Sequence, residues 1–219
     1  MEQIKKTLVV VLMLVLLLTC TLFSSAYGFI RGTASASKLN TTNKYIYANE
    51  SLPVNVFFSN TNTYNPLKTA LLRWSKSKTG ANFNYTYGGK TYGAITKNDI
   101  WSEVSFVNFN QISEIPASAK SAIALTIRTS RNYNNPDIYL NSNKKFGIGY
   151  CSYSGGWYDC EGIITHELGH VLGLTDLYNY YYVSSTMYGY FSLIPNNASS
   201  YNSRTLQADD IKGLKTMYP

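Results

Sequence analysis

Both histidines of this chain lie four residues apart, in Thr165-His166-Glu167-Leu168-Gly169-His170-Val171-Leu172-Gly173-Leu174-Thr175-Asp176. Residues four apart on an α-helix project from one face, so two imidazoles placed this way can offer nitrogens to one metal ion. The pair predicts a helix here with a metal on one side. Glu167 would then sit beside the ion, placed to act as a general base toward a water molecule. Two ordinary surface histidines are the bland alternative, and the residues that follow count against it.

A catalytic zinc takes three protein ligands and keeps one position open. No third histidine exists, so another side chain must complete the set. Gly173 follows the apolar helical run and can take the left-handed conformation that ends a helix and turns the chain back. Asp176, three residues later, is then placed to reach the metal with a carboxylate oxygen. An ordinary loop aspartate is its competing reading.

The stretch resembles the metzincin clan of zinc metallopeptidases, whose motif runs from the two histidines through a glycine to a third ligand. That ligand is usually histidine. Aspartate here resembles the small aspartate-liganded secreted bacterial members, and an anionic ligand acidifies a bound water less than a third neutral imidazole would. Ser185-Thr186-Met187-Tyr188-Gly189 looks like the clan's methionine turn, in which Met187 forms a soft floor under the ligands. Tyr188 after the methionine resembles the matrixin arrangement, which implies that it lines the pocket for the substrate side chain beyond the cleaved bond. Some clan members carry a metal-reaching tyrosine where Gly189 stands, so that role is not transferred. Leu206 to Tyr218 is similar to the matrixin C-terminal helix, and the resemblance implies that Asp210 ties this helix to the methionine turn.

Residues 1–28 carry the three parts of a secretory signal: Lys5 and Lys6, the apolar run from Leu8 to Leu18, and small residues around Ala26 and Gly28. Its removal would take Cys20 away and leave Cys151 and Cys160, an even pair suited to an oxidising compartment. A disulfide between them would hold the start of the metal helix; a reduced buried pair is the other reading. The formal charge of +7 falls to about +6 without the leader and forms no basic cluster. That argues against nucleic-acid binding and fits loose attraction to anionic cell surfaces.

Residues 29–50 read as a short polar arm and 51–219 as one catalytic domain, enough for a sizeable core. Pro53 to Phe58 is expected as a strand, Pro66 to Lys78 as a helix closed by Gly80, and Ile100 to Phe109 and Ala122 to Thr129 as further strands. Asp137-Ile138-Tyr139-Leu140-Asn141 looks like the family's antiparallel edge strand, which implies that Ile138, Tyr139 and Leu140 line the cleft and bind an extended peptide. The tyrosines at 178 and 180–182 could rim that cleft, although packing in a small domain is the favoured explanation. The fold class expected is α+β: a metzincin-like twisted mixed sheet with a few long helices.

Together these features imply a secreted, monomeric zinc endopeptidase acting on protein or peptide substrates, with one catalytic Zn2+ on His166, His170 and Asp176, Glu167 as base, and no stable membrane insertion once the signal is cleaved. Structural Ca2+ stays open. The rivals are a catalytically silent zincin-fold module that binds a surface protein or glycan, and a metal-dependent hydrolase of another amide such as that of the cell wall.

Overall fold

The computed structural model describes residues 38–53, 65–95, 100–113, 115–128, 134–147, 157–190 and 204–219. Five strands form the main sheet: β1 (Asn43–Asn49), β2 (Asn84–Thr91), β3 (Glu103–Val107), β4 (Ala124–Ile127) and β5 (Asp137–Asn141). Their order is β2-β1-β3-β5-β4, parallel throughout except for β4, which runs antiparallel to β5. Two short strands, β6 (Lys145–Gly147) and β7 (Trp157–Asp159), pair separately. The helices are α1 (Pro66–Arg73), α2 (Lys76–Thr79), α3 (Cys160–Leu172) and α4 (Ala208–Met217). A mixed sheet with few helices is the α+β arrangement expected.

Three features of the fold correct the reading of the sequence. The first concerns β1, which lies inside the polar stretch taken for an arm. It alternates, burying Ile46 and Ala48, and it is flanked by β2 and β3. Even Lys44 is buried, because its ammonium donates to the Asn134 carbonyl at 2.7 Å and to the Asn135 side chain at 2.5 Å. A domain boundary at 50 therefore falls within the sheet; the strand expected at 53–58 lies almost wholly outside the described residues.

The second correction concerns 137–141, which is no edge. Val104 to Val107 of β3 pair with Ile138 to Asn141 on one side, and β4 pairs on the other. Ile138, Tyr139 and Leu140 are fully buried. With both backbone rims occupied, none of the three can receive a substrate strand. The antiparallel outer edge is β4, and it packs against α3.

The third is a break in the first helix. At Ser75 the backbone turns extended, and the Ser75 hydroxyl donates back to the Leu72 carbonyl at 2.6 Å, which competes with helix continuation. One further turn follows before Gly80, at φ 69°, closes it.

Every residue of α3 is buried, so its polar groups must find partners inside the protein. Side chains from four directions supply them. Trp74 Nε1 donates to the Thr165 carbonyl at 2.8 Å, the Tyr85 hydroxyl to that of Leu168 at 2.7 Å, Arg128 to that of Val171 at 2.7 Å, and the Tyr218 hydroxyl to that of Leu172 at 3.1 Å. The helix start is tied by charge. Asp159 caps it through the Gly162 N–H at 3.1 Å and takes a bidentate pair from Arg204 at 2.5 and 2.6 Å, while Glu161 pairs with Arg73. Cys160 is buried as the first helical residue, and Cys151, its expected disulfide partner, lies outside the described residues.

Candidate metal centre

The 13-residue length of α3 carries His166 and His170 on one face, and Gly173 at φ 103° stops it. The turn made there is closed by Gly173 N–H to the His170 carbonyl and Leu174 N–H to that of Gly169, both 3.0 Å. It brings Asp176 back under the imidazoles. His166 Nε2 and His170 Nε2 lie 3.0 Å apart, and Asp176 Oδ1 lies 3.2 and 3.4 Å from them.

Those three spacings match the edges of a ligand tetrahedron, because zinc–ligand bonds of about 2.0–2.1 Å place neighbouring donor atoms about 3.3 Å apart. The hydrogen bonds behind the ligands sharpen the fit. His166 Nδ1 lies 2.8 Å from the Thr186 carbonyl and His170 Nδ1 2.9 Å from that of Leu174. A carbonyl only accepts, so both Nδ1 atoms carry protons and each neutral ring turns its Nε2 lone pair inward. Asp176 Oδ1 is itself buried without a hydrogen-bond partner. Converging lone pairs and an orphaned carboxylate oxygen call for a cation, and the donor set suits zinc.

Without a metal, a proton serves in part. Burial disfavours charge on His166, but contact with the Asp176 carboxylate, with Glu167 nearby, outweighs it and lifts the imidazole to about 9. Burial likewise opposes ionisation of Asp176, yet contact with both histidines holds its carboxyl well below the usual carboxylate range. Glu167 is fully buried, and loss of solvent raises its carboxyl despite the opposing pull of His170 and His166. Thr126, on β4, sets its hydroxyl 2.7 Å from Glu167 Oε2 and 3.0 Å from the Glu167 carbonyl.

Beneath the ligands lies the Ser185–Gly189 turn. Met187 is buried against α3, and a Cβ on Gly169 would fall 2.2 Å from its Sδ. Only a bare backbone at 169 lets the turn come this close. The turn is also linked to the ligand loop, through Leu177 N–H to the Met187 carbonyl at 2.8 Å and Gly189 N–H to the Leu177 carbonyl at 3.0 Å. Asp210, at the start of α4, grips the turn from the other side. Its Oδ1 accepts from the Ser185 hydroxyl at 2.5 Å and Met187 N–H at 3.1 Å; its Oδ2 accepts from Thr186 N–H at 3.0 Å and Gln207 N–H at 2.8 Å.

The structure thus brings together His166, Glu167, His170, Gly173, Asp176 and Met187. Tyr188 is half-buried, next in the chain to Met187, with its ring 5.5 Å from that of Tyr190. Ile138, Tyr139 and Leu140 stay in the sheet interior. Of the tyrosines after Asp176, Tyr180 and Tyr181 are 77 and 90% exposed and are not core packing residues, while Tyr178, 47% exposed, rests its ring against that of Tyr190. Sequence reasoning missed Thr126 and Gly169, and it named Tyr178 only as a residue of the rim or the core, without its bond to Asp176. Gly169 alone left a visible sign, as a small residue between the ligands facing the side from which a methionine approaches.

The family model for the matrixin peptidases matches residues 41–219, from just ahead of β1 through α4 to the last residue. No curated protein matches the chain.

Proposed function

The chain belongs to the matrixin family of zinc metallopeptidases, and from that premise we propose that it is a secreted endopeptidase in which His166, His170 and Asp176 hold zinc and Glu167 is the general base. Supporting the ligand set is the convergence of two inward Nε2 lone pairs and one unpartnered carboxylate oxygen within 4.8 Å of one another. Zinc bound there supplies Lewis acidity toward the scissile carbonyl and the attacking water.

Glu167 takes a proton from the water as its oxygen adds to the carbonyl carbon, then delivers that proton to the departing amide nitrogen, so one water is consumed per bond broken. Burial suits the carboxylate to this exchange, because it raises proton affinity above that of a solvated glutamate. Thr126 orients the side chain for the transfer. Because Thr126 stands on β4, the strand that forms the sheet's antiparallel edge also passes beside the base. An extended substrate adding to β4 through main-chain hydrogen bonds would run past Glu167, which accounts for cleavage with little demand on sequence. The substrate strand is accordingly placed on β4 and not on 137–141.

Glu167→Gln tests the reading. The variant should bind zinc like the wild type and hydrolyse fluorescent casein at least about a hundredfold more slowly. Turnover retained at the wild-type rate removes Glu167 as the base. Casein untouched by the wild type, with purified peptidoglycan degraded, would move the substrate from protein to cell-wall amide.

A further inference from the structure

Each of the three donor groups has a partner on its far side. Carbonyls of Thr186 and Leu174 hold the two imidazoles, and the third partner is of another kind: the Tyr178 hydroxyl donates to Asp176 Oδ2 at 3.0 Å. Oδ2 is the oxygen turned away from the histidines. The carboxylate is therefore pinned at one end while its other oxygen faces His166 and His170.

We propose that Tyr178 is a positioning residue for the metal centre, fixing the Asp176 carboxylate so that a single oxygen is presented to zinc, and that Gly189 is the space that lets it do so. A Cβ built on Gly189 would fall 2.6 Å from Tyr178 Cε1 and 3.0 Å from Asp176 Cβ. Any side chain at 189 thus collides with the ring and the ligand together. The ring is steadied from outside by Tyr190, edge-on at 5.3 Å and 70°, which in turn meets Tyr188. Three tyrosines in series lead from the methionine turn back to the third ligand.

A carboxylate needs such a partner more than an imidazole does. Its terminal torsion is broad and its two oxygens are equivalent, so without an external bond either oxygen can turn to the metal, whereas each imidazole is already held by its Nδ1 bond to a carbonyl. Outer partners of metal ligands are commonly carbonyls and carboxylates, and losing one weakens metal binding roughly 10- to 100-fold. A phenol suits Asp176 because the group to be held is an acceptor and needs a donor.

This inference rests on the zinc reading of the three ligands, and zinc affinity separates the two. Apparent Kd for zinc is measured by competition with a chromogenic chelator for the wild type, Tyr178→Phe, Gly189→Ala, the double variant and Tyr190→Phe, with thermal unfolding of each metal-free protein alongside. Tyr178→Phe and Gly189→Ala should each weaken zinc about tenfold. The double variant should bind no worse than the weaker single one, because the alanine has already displaced the hydroxyl that the phenylalanine lacks. Tyr190→Phe keeps its ring and should bind as the wild type does. The metal-free unfolding midpoint of Tyr178→Phe should fall by no more than about 6 °C, the effect of one exposed hydrogen bond, whereas a merely structural role would lower that midpoint and leave the zinc Kd unchanged. Wild-type zinc binding with an unchanged Kd in Tyr178→Phe, or full additivity in the double variant, overturns the proposal alone. A wild type that binds no zinc overturns the metal reading and this one with it.

Discussion

Asp210 offers the sharpest test of how the metal floor is built. Its two oxygens accept from four donors, and three of these lie in consecutive residues of the methionine turn. Asp210→Ala leaves the buried N–H groups of Thr186 and Met187 without their carboxylate, each at about 1–3 kcal/mol. Met187 N–H keeps a poorer contact at 3.3 Å to the Ser185 hydroxyl, which offsets part of the loss. The net expectation is about 4 kcal/mol, or roughly 8–16 °C in the unfolding midpoint of a domain of this size. Asp210→Asn should be milder, and its geometry says how. The amide settles with its nitrogen toward Ser185, whose hydroxyl can turn to accept, and with its oxygen toward Thr186 and Gln207. Two bonds then change from charged to neutral acceptors and one is lost, for about 2 kcal/mol. Urea unfolding of the metal-free variants, followed by circular dichroism, measures both. An alanine variant within about 1 kcal/mol of the wild type would refute the claim that this carboxylate holds the turn.

Gly169→Ala should destabilise the protein by about 1–2 kcal/mol, since overpacking against Met187 at 2.2 Å exceeds the helix propensity gained. Adding Met187→Ala should remove that penalty, and chemical denaturation of the single and double variants reads it directly. In the metal-free chain His166 rests at about 9, raised from 6.5, so zinc must displace a proton at neutral pH. Zinc affinity should therefore climb about tenfold per pH unit between 6.5 and 8, and a flat profile in chelator competition would contradict the geometry. The sign for folding is opposite: the stabilisation that the Asp176 contact gives the protonated ring is complete below about pH 6.5 and is lost as pH rises through about 9. Denaturation midpoints of metal-free protein across that window should fall.

Much of the site was legible because local rules govern it. The four-residue spacing of His166 and His170 fixes a shared helix face, and a glycine at 173 is what a left-handed stop demands. The link from Asp210 to the methionine turn came from the family resemblance and not from a local rule, since its partners lie 23 to 25 positions away in the chain. The rest depends on which strands become neighbours. Asp137–Asn141 and Ala124–Ile127 are both short and apolar, and nothing within either says which has a partner on each side; the order β3-β5-β4 decides it. β1 was hidden in a Ser-, Thr- and Asn-rich stretch because its polar residues, Lys44 among them, are satisfied by bonds to distant loops. Thr126 and Tyr178 carry no local mark. Thr126 meets Glu167 across 41 positions in the chain, and Tyr178 sits in a tyrosine run whose members look alike until one hydroxyl reaches a carboxylate.

Zinc K-edge X-ray absorption on the purified, zinc-loaded chain examines the central claim most directly. The account predicts one zinc per chain with a first shell of nitrogen and oxygen near 2.0–2.1 Å, the multiple-scattering signature of two imidazoles, and no sulfur. A sulfur shell near about 2.3 Å, a single imidazole, or a chain that retains no zinc would contradict it.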